Sequence, residues 1–226
     1  MKRYFDHCVH FVDGGSQQIP VGKVICVGLN YSDHVAEMGS QRADEPLIFL
    51  KPASALVPLE EPVAIPLAFG ACHYEAEMSV LIGEQLTDCN EEQAAGAIIG
   101  VGVALDLTLR DLQSQFKQKG HPWDKAKGFD GACPASAFVD RSQVADLQSL
   151  ELRLTINGKV KQASNTRQMI TPVLPLITYI SQYFTLMPGD IVLTGTPAGV
   201  GPLCSGDTLT VELVDVISVN TCVVAR

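Results

Sequence analysis

Glu75 and Glu77 stand one residue apart, and Asp106 follows them at the end of a long apolar stretch. On a strand, residues i and i+2 point to the same face. The segment His73-Tyr74-Glu75-Ala76-Glu77 therefore aims two carboxylates side by side. Carboxylates that close raise one another's pKa unless a positive charge holds them apart. With Asp106 they make an all-oxygen ligand set, free of cysteine and histidine. Such a set suits a hard ion, Mg2+ or Mn2+. Taken alone, the pair reads more readily as a solvated strand face, because acidic residues are common there; its neighbours shift the reading toward a metal.

Other residues with chemical potential lie around these three. Arg110 and Gln113 follow Asp106 at i+4 and i+7. That spacing places the three on one helical face, with the aspartate at the helix N-terminus where negative charge is favoured. Arg110 is then either a plain salt-bridge partner or a substrate-binding group. Lys127 lies in Trp123-Asp124-Lys125-Ala126-Lys127-Gly128-Phe129, a segment unlike a solvated helix. A lysine beside a metal can donate to a developing oxyanion; a surface lysine is the other reading. His34 and Glu37 are spaced i, i+3 and meet on one helical turn. A carboxylate that orients one ring nitrogen leaves the other free as a base. A helix-surface contact worth about 0.2–0.5 kcal/mol is the alternative. The loop Thr194-Gly195-Thr196-Pro197-Ala198-Gly199-Val200-Gly201 lacks the Gly-Lys-Ser/Thr ending of a P-loop. Its backbone N–H groups and the Thr196 hydroxyl suit a small carboxylate. His73 is expected to hydrogen-bond behind the cluster rather than to ligate.

The elements that must position these groups are legible in outline. Residues 21–29 and 47–50 read as apolar strands, with a short helix over 30–38 between them that suggests a lid. Residues 75–82 read as a strand, and 98–105 as a strand buried on both faces. Asn90 and Gln93 form a capping box opening a helix through Ala97. A helix is predicted over 109–119, and a hairpin over 152–160 around Asn157-Gly158. Val173, Leu176, Ile177, Ile180 and Phe184 make the apolar stripe of another helix. Strands follow at 191–194, 208–213 and 216–224. Strands and helices do not alternate regularly, so the expected class is α+β with a dominant β core. A single domain is expected over 21–226, preceded by an arm over 1–20.

Composition narrows the partners. With 226 residues and a formal net charge of -9, the chain offers no basic face for nucleic acid or an anionic membrane. The apolar run 94–105 is too short to span a bilayer, which takes about 20 residues. Met1-Lys2-Arg3 leads into Tyr4, Phe5 and Asp6 rather than an apolar segment, so no secretory signal is expected. The seven cysteines are scattered, without a CxxC pair, as in a reducing compartment. A cytoplasmic protein is expected.

Six segments taken in order resemble the fumarylacetoacetate hydrolase family, especially its short acylpyruvase-like members. They are residues 27–34 (VGLNYSDH), 49–52 (FLKP), 73–77 (HYEAE), 105–113 (LDLTLRDLQ), 126–130 (AKGFD) and 189–197 (GDIVLTGTP). The resemblance implies that family's mixed β-sandwich roll with flanking helices and a homodimer. It further implies a Mg2+ or Mn2+ site at Glu75, Glu77 and Asp106. His34 with Glu37 becomes the dyad that activates water. Lys127 acts beside the metal, and Arg110, Gln113, Thr196 and Gly195 hold substrate. The long eukaryotic hydrolase has a further ligating aspartate upstream of the histidine, whereas residues 21–32 here contain no carboxylate. The ion here is therefore expected to keep an extra water or substrate oxygen.

The expected chemistry is hydrolysis of an acylpyruvate, a 2,4-dioxo acid, to pyruvate and a carboxylic acid. A small 2-oxo acid is thus the expected substrate. The alternative is decarboxylation or keto–enol tautomerisation of oxaloacetate, which draws on the same metal-assisted enolate chemistry. A non-catalytic binding protein is a third reading, against which the His34–Glu37 pair stands.

Overall fold

The computed structural model describes residues 8–14, 19–39 and 44–226. The fold is α+β, as expected, and strands dominate. The larger sheet runs Leu47–Lys51, Val24–Gly28, Ile191–Leu193, Ala76–Ile82, Ile98–Leu105, Cys133–Ala135 and Leu56–Pro58. Val139–Asp140 also pairs with Ile98–Leu105. A second sheet orders Lys159–Asn165, Glu151–Ile156, Thr208–Leu213, Ile217–Ala225 and Val63–Ile65. A third joins Gly201–Pro202, Cys72–Tyr74 and Thr108–Leu109.

The two larger sheets face one another. Glu151–Ile156 lies against Ala76–Ile82, and Thr208–Leu213 against Ile98–Leu105. Leu152, Leu154 and Ile156 alternate with more exposed neighbours and point into this shared core, as do Leu209, Val211 and Leu213. Ala76–Ile82 is buried throughout, because one face meets the second sheet and the other is also covered.

The register of the larger sheet builds the site. Ile98–Leu105 and Ile191–Leu193 flank Ala76–Ile82 on either side, both antiparallel to it. Val24–Gly28 is parallel to Ile191–Leu193. The C-terminal ends of three strands therefore converge on the N-terminal end of Ala76–Ile82, where Glu75 and Glu77 lie. One brings Asp106, one the 194–201 loop, and one the segment carrying His34.

Several local expectations hold. The helix Glu91–Ala97 has the complete Asn90/Gln93 capping box. Asn157 and Gly158 both take positive φ, as a type I′ hairpin turn requires. Val173–Tyr183 buries Val173, Leu176, Ile177 and Ile180. One reading is corrected. The helix that was to stack Asp106, Arg110 and Gln113 on one face begins only at Arg110. Asp106 instead extends the strand ladder, donating its N–H to the Glu75 carbonyl at 2.8 Å. The pairing Ala76↔Leu105 carries on past the strand ends and overrides the helical spacing. The strand expected over 75–82 begins at Ala76, with Glu75 in a break after Cys72–Tyr74.

The expected N-terminal arm falls partly outside the described residues. Its described part is tied down by bridges Cys8↔Pro20 and Phe11↔Phe138. No helix of the described residues is long and apolar enough to cross a membrane.

Candidate active site

Glu75, Glu77 and Asp106 are all buried, and one oxygen from each lies within 4.8 Å of the others. This packing of like charge sets the electrostatics. Burial pushes the Glu77 carboxyl well above the usual carboxylate range, and the negative charges of Asp106 and Glu75 push it further. Its Oε2 accepts the backbone N–H of Gly195 at 2.6 Å. Burial also works against ionised Glu75, but Lys127 and Arg110 outweigh it and hold that carboxyl well below the usual range. Lys127 Nζ donates to Glu75 Oε2 at 2.8 Å and to Asp106 Oδ2 at 2.6 Å. Arg110 pairs with Glu75 Oε1. Burial opposes the charge of Lys127 too, yet Asp106 and Glu75 raise its pKa above that of an ordinary lysine. Lys127 is thus a buried cation, and the surface-lysine reading is excluded.

Lys51, given no role from sequence, is fully buried beneath the cluster. Its Nζ stands 2.7 Å from Asp106 Oδ1, close enough for charge pairing, although that oxygen has no aligned hydrogen-bond donor. The residues fit a hard divalent cation on these observations. Three buried carboxylates converge, one of them is pushed strongly toward protonation by its neighbours, and one oxygen lacks a donor.

A cleft opens over the cluster, lined by His34, Glu75, Glu77, Arg110, Gln113, Lys117, Trp123, Lys127 and Thr196, among others. Most of the expected site residues therefore share one space. Arg110 reaches Gln113 Oε1 at 2.8 Å from the first turn of the helix Arg110–Lys119. His34 sits on the short helix Ser32–Glu37, with Nδ1 3.2 Å from Glu37 Oε2. The turn into that helix bends through Leu29, whose φ of 60° is unusual for a side-chain-bearing residue.

The glycine-rich loop acts differently from the expectation. Its N–H groups at Gly195 and Gly199 go to protein carboxylates: Gly195 to Glu77, and Gly199 to Glu37 at 3.0 Å. Gly195 has φ 96°, and a Cβ there would lie 2.6 Å from Asn30 Cβ. The loop thus ties the acidic cluster and the His34–Glu37 pair to one backbone segment. The Thr196 hydroxyl donates to the Ala76 carbonyl and accepts from Gln162, both at 2.8 Å. His73 does not line the cleft, and its Nδ1 has no hydrogen-bond partner among the described residues.

Sequence reasoning passed over three positioning residues besides the cleft wall. Lys51 could have been suspected as a charge ending an apolar strand before Pro52. Asn30 holds the loop junction through the Thr194 carbonyl at 2.8 Å and both backbone groups of Thr171. Gln162 carries no signal, because it alternates with exposed residues on an edge strand.

Residues 23–224 match the family described as fumarylacetoacetate (FAA) hydrolase C-terminal. Oxaloacetate tautomerase YcgM of Escherichia coli (strain K12) is 51% identical over 203 residues, 89% of this chain and 93% of that protein. The mitochondrial oxaloacetate tautomerase FAHD1 of Bos taurus is 41% identical over 197 residues, 87% of this chain and 89% of that protein. Among solved structures, fumarylpyruvate hydrolase from Pseudomonas aeruginosa, in complex with Mn2+ and pyruvate, superimposes with a TM-score of 0.91. It is 36% identical, with 97% of each chain covered. A match of this extent, over a fold with buried acids grouped at one sheet end, makes the chain a member of the fumarylacetoacetate hydrolase family.

Proposed function

We propose that this protein is a divalent-metal-dependent oxaloacetate keto–enol tautomerase. The observation that carries the proposal is the joining of the Glu75–Glu77–Asp106 cluster and the His34–Glu37 pair through the 194–201 loop. The names of the two relatives above favour tautomerisation over the acylpyruvate hydrolysis expected from sequence. Glu75, Glu77 and Asp106 hold the ion, read as Mg2+ or Mn2+; the Pseudomonas aeruginosa neighbour was solved with Mn2+. That ion, when bound, supplies a Lewis acid for the 2-oxo group.

The chain's own residues do the rest. Arg110 and Gln113, joined side chain to side chain, form the wall that receives the carboxylate next to the 2-oxo group. Thr196 closes the opposite side, fixed by Gln162. Lys127, held protonated by its acidic partners, places positive charge where the 2-oxo oxygen gains electron density. His34, oriented by Glu37, takes a proton from C3. The C3–H electron pair becomes the C2–C3 double bond, and the 2-oxo oxygen receives a proton, so one hydrogen shifts with no net loss. Ketonisation is the reverse. No bond to C4 breaks, which separates this reaction from decarboxylation and hydrolysis. The same reading has the protein cytoplasmic and homodimeric.

A second reading keeps the same residues for hydrolysis of 2,4-dioxo acids, with His34 activating water. The Pseudomonas aeruginosa neighbour, a fumarylpyruvate hydrolase, favours it. Purified protein given enol-oxaloacetate separates the two. Rapid loss of the enol absorbance, with total oxaloacetate conserved and the rate abolished by EDTA and restored by Mn2+, supports the tautomerase. Pyruvate released at the rate of enol loss, or acetylpyruvate cleaved faster than the enol decays, refutes it.

A further inference from the structure

The cleft and its floor carry cations with unequal company. Lys51 pairs with Asp106, Arg110 with Glu75, and Lys127 with both acids. Lys117 differs. Among the described residues no carboxylate stands at ion-pair distance from it, and its ammonium lies 5.1 Å from the Trp123 ring centroid. Arg110, Gln113 and Lys117 follow at i, i+3 and i+7 on the helix Arg110–Lys119, and all three line the cleft. Lys117 is thus the far member of a row in which Arg110 pairs with Glu75 and Gln113 accepts from Arg110.

Its surroundings suit an anion. The side chain as a whole is exposed, and its ammonium sits over the Trp123 ring. Burial first, and then the like charges of Arg110 and Lys127, push its pKa below that of an ordinary lysine. Trp123 contacts Phe49 with ring centroids 6.0 Å apart, giving the mouth an apolar wall beneath the cation. A cation held over an aromatic face beside two other cations gains from an incoming carboxylate and nothing from a neutral acyl group.

Building on the proposed tautomerase, we infer that Lys117 binds the distal carboxylate of a 2-oxo dicarboxylate and so sets specificity for dicarboxylic over neutral-tailed substrates. Arg110 and Gln113 hold the end nearest the metal cluster, and Lys117 holds the other.

The test uses ligands that do not turn over. Malate and lactate both present a 2-hydroxy acid, but only malate adds a distal carboxylate. Calorimetry on Mg2+-loaded protein is expected to show malate bound more tightly than lactate by about fivefold or more, the size of one partly desolvated charge pair. Lys117→Met brings that ratio near one, and Lys117→Arg keeps it. Oxaloacetate kinetics add a second readout, with KM raised and kcat little changed in Lys117→Met. A ratio of one in the unaltered protein, or a ratio that survives Lys117→Met, overturns the inference. Failure of the tautomerase reading looks different: the malate preference and its loss persist, while enol-oxaloacetate decays no faster than in buffer.

Discussion

Lys51 places its ammonium 2.7 Å from Asp106 Oδ1, with side chains 0% and 1% exposed. The same ammonium donates to the carbonyls of Lys127, Ala132 at 3.0 Å and Leu107 at 3.4 Å. One lysine thereby supports an acid of the cluster and also pins the backbone that carries Lys127. The pair is therefore structural and electrostatic at once.

Replacing Lys51 with methionine keeps the volume and removes the charge. Leaving a buried charge wholly uncompensated costs about 3–5 kcal/mol; Asp106 keeps Lys127 at 2.6 Å, so the loss here is expected to fall below that range. Lys51→Met is expected to lower the urea midpoint accordingly, with the slope unchanged. An unaltered midpoint would show that Lys127 alone neutralises Asp106.

Glu77 should respond with the opposite sign. Its carboxylate is buried among like charges and, among the described residues, has no cation at ion-pair distance. Glu77→Gln preserves the shape and an oxygen for the Gly195 N–H, yet removes the repulsion. The metal-free variant is expected to unfold at or above the temperature of the unaltered protein. Its affinity for Mn2+ should nevertheless drop by at least the roughly tenfold to hundredfold that losing a mere supporting partner of a metal ligand costs. Thermal scans with and without Mn2+ read both effects. Equal Mn2+ stabilisation in the two proteins would remove Glu77 from the ligand set.

Much of this arrangement can be read from residue order, and the exceptions share a cause. The Asn90 cap, the Asn157-Gly158 turn and the stripe of Val173–Tyr183 are local signals, each decided within a few residues. The Glu75/Glu77 pair was legible for a similar reason, since i, i+2 spacing sends both side chains to one face of an extended segment. What stayed hidden depends on distant partners. The strands Leu56–Pro58 and Val63–Ile65 lie in a proline-rich stretch, and they exist because Cys133–Ala135 and Ile217–Ala225 pair with them. Asp106 took its place from pairing with the Glu75 segment, not from the helix that follows it. The glycine-rich loop signalled free N–H groups correctly, but no local pattern says that Glu37 and Glu77 consume them.

The Glu37 connection is open to a backbone test. Gly199 has φ 101°, and a Cβ there would sit 2.1 Å from the Lys161 carbonyl oxygen. Gly199→Ala therefore has to shift the loop, at a strain cost of about 1–3 kcal/mol. The shift withdraws the N–H from Glu37 and loosens the orientation of His34. Loss of kcat by about tenfold to a hundredfold is expected, with Mn2+ affinity retained because the cluster lies at the other end of the loop. Glu37→Gln should reproduce the kcat loss without the strain. If Gly199→Ala lowers stability but leaves kcat intact, the loop does not orient the histidine.

Asn30 joins the two halves of the site from the other side. Its amide donates to the carbonyls of Thr194 at 2.8 Å and Thr171 at 3.0 Å, and its oxygen accepts the Thr171 N–H at 2.8 Å. Its Cβ packs where a side chain at Gly195 would otherwise stand. Asn30→Ala leaves these backbone groups without partners, at a cost of roughly 2–4 kcal/mol. Asn30→Asp is the sharper probe. Aspartate can still accept from Thr171 but cannot donate, and it turns a negative charge toward two carbonyl oxygens. It is therefore expected to be at least as destabilising as alanine near neutral pH, even though it is nearly the same shape. Because Gly195 holds Glu77, both variants should also weaken Mn2+ binding, measurable by calorimetry at temperatures where they remain folded. Stability close to that of the unaltered protein for Asn30→Asp would mean that the amide donates nothing of consequence, and that packing against Gly195 alone sets the loop.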